Sequence, residues 1–181
     1  GFTELMIQSP EHYGEQLPPP YMRDLTIVYR NGCHLQDLVN DVIDLARIEA
    51  AQMSLVPEET DPGRLVQQTV ETARGLAETH GLALHAHIEP DLPRIVIDPT
   101  RIRQVLFNLL NNAVNWTERG SITVSVHHKE EAVVFAVADT GVGIAADDIP
   151  RIFEEFRQLD PGTRRRRSGA GLGLAISRQF V

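Results

Sequence analysis

The chain lacks several features that would point to specialised classes of protein. Cys33 is its only cysteine, so no disulfide bond can form within the chain. No apolar run approaches the ~18 residues of a membrane-spanning helix, and no signal peptide opens the sequence. The net charge of −8 disfavours general binding to nucleic acid or to anionic membranes, because both attract basic surfaces. These absences predict a soluble protein that does not generally bind nucleic acid or anionic membranes.

Lysine is also nearly absent, since Lys129 is the only one. Basic charge is concentrated instead in the four consecutive arginines 164–167. Such a run is usually a solvated surface, but beside a phosphate site it would screen a triphosphate. The sequence leaves both interpretations open.

The first long helix is predicted from Pro20 to about Met53, a stretch with no interior proline and one isolated glycine. Its apolar residues repeat with the two-position heptad spacing of a bundle or coiled coil: Val28, Leu35, Leu38, Val42 and Leu45. A helix of this length spans ~50 Å at 1.5 Å per residue and needs partner helices. The only upstream candidate, residues 2–8, is far too short.

After about residue 54 the pattern changes to a mixture of helices and strands. A short strand is predicted at 53–57, and helices begin at the caps Asp61 and Asp98, each followed by proline. Alternating apolar residues predict strands at "LALHAHIE", "RIVID", "GSITVSVHH" and "AVVFAVAD". A glycine loop, a short acidic helix and a final glycine-led helix follow. The order predicts an α+β fold, in which a long bundle-forming helix precedes an α/β sandwich whose mixed sheet has helices on one face.

The helix in "RIRQVLFNLLNNAVNWT" carries an unusual file of amides. Gln104, Asn108 and Asn112 are four residues apart and therefore share one face, whereas Asn111 lies off that line. Amide oxygens suit a hard cation and amide NH₂ groups suit phosphate oxygens, and Mg²⁺ needs few protein ligands. Alternatively, these amides only cap neighbouring loops.

The segment "VADTGVGI" ends a strand with Asp139, a carboxylate that an adenine amino group could satisfy. Gly141 and Gly143 would let the backbone turn and approach a flat ring. Taken alone, the motif is also compatible with a simple turn.

The segment "GAGLGLAIS" places glycines at every second position before an apolar helix. Gly169, Gly171 and Gly173 free backbone N–H groups to point at an anion, and the helix N-terminus adds partial positive charge. The pattern predicts phosphate binding, and a flexible hinge is the alternative.

Taken in order, "RIRQVLFNLLNNAVNWT", "DTGVGI", "IFEEFRQLD" and "GAGLGLAIS" resemble the asparagine, first glycine, phenylalanine and second glycine boxes of the sensor histidine kinases of two-component systems. "HLQDLVNDVIDLARIEAAQMSL" resembles the second helix of their dimerisation domain. The resemblance implies a partial dimerisation hairpin at 1–54. It also implies an ATP-binding domain of the GHKL (Bergerat) type at 55–181, truncated at its C-terminus.

The resemblance also implies roles for individual residues. Asn112 would bind Mg²⁺, Asn108 would lie on the phosphate side, and Asp139 would read the adenine beside Gly141 and Gly143. Trp116 would lie against the adenine ring. The phosphate-facing loop would consist of Gly169, Gly171, Leu172 and Gly173.

Two departures from the family pattern affect the expected chemistry most. Asn115 stands where the family usually has a lysine that approaches the phosphates, so an arginine from 164–167 would have to replace that charge. None of the seven histidines is followed by the family's acceptor motif, so we expect a fragment that lacks the acceptor histidine. His34 is a weak candidate, since it lies on the second helix.

The resemblance implies that the parent protein transfers the γ-phosphoryl group of ATP to a histidine, for relay to an aspartate of a response-regulator receiver domain. ATP and Mg²⁺ would be the cofactors, the helical domain would form a homodimer, and no nucleic acid would be bound. A cytoplasmic location is implied, and anchoring of the parent in a membrane stays open. The alternative is a non-catalytic dimerisation scaffold with a degenerate nucleotide pocket.

Overall fold

A computed structural model describes residues 1–14, 17–157 and 171–181. The chain forms two compact units, Gly1–Ala46 and Arg47–Val181. The division falls inside the long helix, and the sequence-based boundary between residues 54 and 55 stays a prediction. In the described part of the chain, no helix has both the length and the apolar character needed to cross a membrane.

The first unit contains helix α1, Phe2–Gln8, and most of helix α2, Pro19–Glu49. The hydroxyl of Tyr29 donates a hydrogen bond of 3.1 Å to Glu4 Oε1 and so links the two helices. Helix α2 begins within one residue of the predicted start but ends four residues before Met53. Ala51 adopts a left-handed φ of 52°, which stops the helical ladder.

The heptad residues of α2 are largely exposed within this chain. Leu35 is 62% exposed, and Val28 and Val42 are exposed to 56% and 49%. Only Leu45 of that set is buried, at 8%. Apolar side chains at helical spacing that remain in solvent indicate a surface that another helix would cover.

The second unit contains the remaining elements, which are β1 (Glu58–Thr60), α3 (Pro62–Thr79), β2 (Ala83–Ile88), β3 (Ile95–Ile97), α4 (Pro99–Trp116), β4 (Ser121–Lys129), β5 (Ala132–Asp139) and α5 (Gly173–Phe180). The predicted strand at 53–57 is wrong, because pairing with β3 starts only at Glu58. Pro57 has no N–H to donate, and the N–H of Val56 bonds to the Asp98 side chain instead. A 3₁₀ turn, Ile149–Arg151, replaces the predicted acidic helix.

The core lies between a mixed sheet and the helices. Strand β4 pairs in parallel with β2 and antiparallel with β5. Ile122, Val124 and Val126 of β4 are at most 1% exposed and pack in one cluster with Val66 and Val70 of α3 and with Leu106 and Leu110 of α4. The mixed sheet with helices against its apolar face confirms the predicted fold class.

Both predicted caps are confirmed. The Asp61 side chain accepts a hydrogen bond from Arg64 N at the start of α3. Asp98 accepts from the backbone N–H groups of Thr100 and Arg101 at the start of α4, and from Val56 N. Burial alone would raise the pKa of Asp98, but these three donors outweigh it and the pKa is lowered overall.

We expect Asp98→Ala to lower the free energy of unfolding by about 1–2 kcal/mol, because two N-terminal donors of α4 lose their acceptor. Asp61→Ala is the matched control, since Asp61 accepts a backbone hydrogen bond from Arg64 N at its cap, whereas Asp98 accepts three backbone hydrogen bonds. Urea unfolding of both variants measures the difference. If Asp61→Ala lowered the free energy of unfolding as much as Asp98→Ala or more, the larger role of the Asp98 cap would be contradicted.

The Asp98 carboxylate also predicts a dependence of stability on pH. Its pKa is lower in the folded chain than in the unfolded chain, where it is about 3.9. Its contribution is therefore complete above the unfolded value and disappears as the pH falls through the folded value. The stability difference between the wild type and Asp98→Asn should shrink across that acidic window. A difference that is constant with pH would contradict the assignment.

Candidate functional site

Helix α4 presents the predicted file of amides, and the structure gives its members different partners. Asn108 Nδ2 donates to the carbonyl of Gly173 at 3.1 Å and to Ser177 Oγ at 3.3 Å. Gln104 Oε1 accepts from Arg101 Nη1 at 2.9 Å. The half-buried Asn112 side chain makes no hydrogen bond to another described residue. The Asn108 side chain therefore binds α5, whereas the Asn112 amide makes no such contact.

Helix α5 runs antiparallel along α4 and contacts it near both ends. Asn108 contacts Gly173 at the first residue of α5, and the Arg101 guanidinium lies 5.1 Å from the ring centroid of Phe180 at the last. Seven residues separate the two contacts on each helix, which is about 10.5 Å at 1.5 Å per residue. A Cβ at Gly173 would lie 3.4 Å from Asn108 Cγ, so the glycine permits this close approach.

The residues just before α5 are held in place by burial and by close backbone contact. Leu172 is completely buried at 0% exposure, so it holds the loop against the interior of the unit. Gly171 has a left-handed φ of 74°, and a Cβ there would lie 2.6 Å from the carbonyl oxygen of Arg157. Glycine is therefore required at this position. Gly169 and the arginines 164–167 lie outside the described residues.

The end of β5 meets the end of α4. Asp139 Oδ1 accepts hydrogen bonds from Gly141 N at 2.8 Å and from the buried Thr117 hydroxyl at 3.5 Å. Val142 N donates to the carbonyl of Trp116 at 3.4 Å. The Asp139 side chain is exposed, and its Oδ2 receives no bond from a described residue. One carboxylate oxygen is thus held by the protein and the other is open to a donor from solution.

Sequence analysis missed several residues that position these groups. Ser121 N donates to Thr140 Oγ1 at 3.1 Å, and Thr140 N donates to Ser121 O at 3.2 Å. Gly120 has a φ of 126°, and the Thr140 side chain fills the space that a Cβ there would occupy. The signals were available: a glycine just before one strand and a threonine just after its antiparallel neighbour.

Asn115 and Trp116 are both half-buried on the last turn of α4. In the described part of the chain, no group of three or more histidine, cysteine, aspartate or glutamate side chains is arranged to hold a metal ion.

We expect Gly141→Ala to destabilise the chain more than Gly143→Ala. A Cβ at Gly141 would lie 2.4 Å from the Trp116 carbonyl oxygen, so the backbone must move. Gly143 has a left-handed φ of 71° with nothing within 4 Å, and its substitution should cost only about 1–2 kcal/mol of backbone strain. Thermal unfolding of both variants gives the order, and a reversed order would contradict the close approach of β5 to α4.

The chain resembles a family of known ATPases. The family described as "Histidine kinase-, DNA gyrase B-, and HSP90-like ATPase" matches residues 97–181. The circadian input-output histidine kinase CikA of Synechococcus elongatus is 37% identical over 157 residues, which cover 85% of this chain and 21% of CikA. The sensor histidine kinase RcsC of Escherichia coli is 33% identical over 168 residues, covering 92% of this chain and 18% of RcsC. The chain thus spans about a fifth of the length of these relatives.

Solved structures give the same result. Full-length ShkA in complex with AMPPNP is similar with a TM-score of 0.76 and 36% identity, over 92% of this chain and 34% of ShkA. The histidine kinase AdeS of Acinetobacter baumannii has a TM-score of 0.69 over 99% of this chain and 81% of AdeS. At 21% identity, AdeS supports the fold alone. Residues 97–181 therefore match the histidine kinase-, DNA gyrase B- and HSP90-like ATPase family, and most of the chain is similar to a segment of proteins named histidine kinases.

Proposed function

We propose that this domain transfers the γ-phosphoryl group of ATP to a histidine outside these 181 residues, for relay to an aspartate of a response-regulator receiver domain. The observation that carries the proposal is the arrangement around α4. The Asp139 carboxylate lies at the C-terminal end of α4, and the glycine-led start of α5 is bound to Asn108 two turns earlier. One ATP molecule lying along α4 would place its adenine at Asp139 and its phosphates at the start of α5.

The adenine would bind where β5 meets α4. Its amino group would donate to the open oxygen of Asp139, while Gly141 allows the ring to approach the backbone. The indole of Trp116 would lie against the ring, since stacking of a base on an aromatic side chain contributes about 1–3 kcal/mol. Gly143 would form part of the same side of the adenine site as Gly141.

The phosphates would bind between the amides of α4 and the loop that leads into α5. The Oδ1 atom of Asn112 suits Mg²⁺, which would neutralise phosphate charge when bound. The Nδ2 of Asn108 is already used by α5, so we propose that Asn108 acts mainly by holding Gly173 and the loop backbone toward the phosphates. Gly169 and Gly171 would supply further N–H donors, with Leu172 as the buried anchor of the loop.

Phosphoryl transfer depends chiefly on positioning and on neutralisation of charge. Asn115 brings no positive charge to the site, so we propose that an arginine of the run 164–167 supplies it.

The cytoplasm, where ATP is available, is the proposed location.

The exposed heptad residues of α2 support a second part of the proposal, namely a homodimer formed through the helical segment. The receiver domain of a response regulator would be a further partner. The scaffold alternative gains no support, because the matched relatives carry histidine-kinase names.

We expect Asp139→Asn to weaken ATP binding at least tenfold. The hydrogen bond from the adenine to a charged acceptor contributes about 1.5–3 kcal/mol, and each 1.4 kcal/mol corresponds to about tenfold in affinity. The asparagine Oδ1 can still accept from Gly141 N, so the fold should be retained. Titration with Mg·ATP while following Trp116 emission measures the affinity. Asp147→Asn, an exposed carboxylate in the following loop, is the control, and unchanged affinity in Asp139→Asn would exclude the adenine assignment.

We expect Asn112→Ala to lose the dependence of ATP binding on magnesium, because the amide oxygen that holds the cation is removed. Calorimetry with ATP, in buffer containing Mg²⁺ or EDTA, measures that dependence. Asn111→Ala is the matched control, since Asn111 is the exposed neighbour on the same helix turn. Magnesium dependence retained by Asn112→Ala would move the cation elsewhere.

A further inference from the structure

Arg101 contacts three separate parts of the second unit. Its Nη2 lies 3.3 Å from the sulfur of Met53 and its Nη1 donates to Gln104 at 2.9 Å. The same guanidinium lies 5.1 Å from the ring centroid of Phe180. The side chain is half-buried, so these contacts are partly shielded from water. A single cation therefore connects the segment that follows α2, the first turns of α4 and the last residue of α5.

The segment that follows α2 is attached to α4 at two points. Met53, four residues beyond Glu49, meets Arg101. Three residues later, Val56 N donates to Asp98 Oδ2 at 2.9 Å. Any displacement of this segment therefore acts on the first turn of α4, and on the same Arg101 side chain that holds Phe180.

Helix α5 connects Phe180 with the loop at its other end. It has only eight residues, and Gly173 at its start is bonded to Asn108. The buried Leu172 and the constrained Gly171 come directly before it. A shift or release of Phe180 would therefore change where the N–H groups before α5 point, whereas Asp139 at the end of β5 and Gly141 just after it would stay in place.

We propose that Arg101 is a positioning residue that couples the segment 50–57 to α5 and so sets the affinity for the phosphates of the nucleotide. This proposal rests on the function proposed above and extends it: the exit from α2 controls phosphate binding separately from adenine binding. Arg101 itself does not need to touch the nucleotide.

The test compares Arg101→Gln with the wild type for two ligands, Mg·ATP and adenosine, by calorimetry. We expect the affinity for Mg·ATP to fall about threefold to tenfold, which is the range for loss of a partly buried cation–π contact and its hydrogen bonds. The affinity for adenosine should not change. Arg101→Lys, which keeps the cation, should recover part of the loss. Arg103→Gln is the matched control, because Arg103 is exposed on the same helix and bonds to Gln68 instead.

Two further variants keep the proposal falsifiable if Arg101→Gln does not fold. Phe180→Leu should reproduce the selective loss of Mg·ATP affinity, and Met53→Ala should show a loss that is not additive with it, because both act through Arg101. Equal losses for ATP and adenosine, or unchanged ATP affinity, would overturn the proposal.

Failure of the proposed function can be distinguished from failure of the role proposed for Arg101. If the wild type bound neither ligand, the ATP-binding function would be wrong, and amide hydrogen exchange would then decide the positioning role alone. Arg101→Gln should speed exchange in α5 and Arg103→Gln should not. Exchange in α5 that is unchanged by Arg101→Gln would overturn the role of Arg101.

Discussion

Helix α4 is the constraint on which the rest of the second unit depends. Leu106 and Leu110 on one side are each 1% exposed and pack with β4 and α3. Burial of a leucine side chain stabilises a fold by about 1.5–3 kcal/mol, so this apolar side fixes the rotation of the helix about its axis. Once that rotation is fixed, Asn108 lies on the side of the helix that meets α5.

The two ends and the middle of α4 contact different parts of the second unit. Its first turn is capped by Asp98 and receives the chain that leaves α2, through Met53 and Val56. Its last turn faces Asp139 and Gly141. The middle holds α5 through Asn108. Under the proposed function, α4 supports both recognition of the base and binding of the phosphates, while the segment that follows α2 contacts its opposite end.

Much of this could be predicted from sequence because the signals are local. A cap followed by proline predicts the start of α4, alternating residues predict β4 and β5, and a four-residue spacing predicts that Asn108 and Asn112 share a face. The partners of Asn108 could not be predicted in this way. Its bond to Gly173 joins residues 65 apart, and no local pattern says which of two amides will be used for packing.

The errors have physical causes of the same kind. The strand expected at 53–57 fails because the Asp98 side chain takes the Val56 N–H, a contact between residues 42 apart. The contact of Arg101 with Phe180 depends on how α5 packs, which hydrophobic periodicity does not specify. Motif resemblance compensates for part of this limit, since four boxes in the correct order and spacing predict a site that no single box predicts.

The central claim is that base and phosphates bind along α4, between the end of β5 and the start of α5. Two-dimensional ¹⁵N–¹H NMR of the labelled chain, recorded during addition of AMPPNP and Mg²⁺, tests it most directly. The account predicts that the largest shift changes fall on the Trp116 indole, the Asn112 side-chain amide and the backbone N–H groups of Gly141 and Gly173. Changes concentrated instead on the opposite part of the sheet, around His87 and His127, with none of those four signals affected, would contradict it.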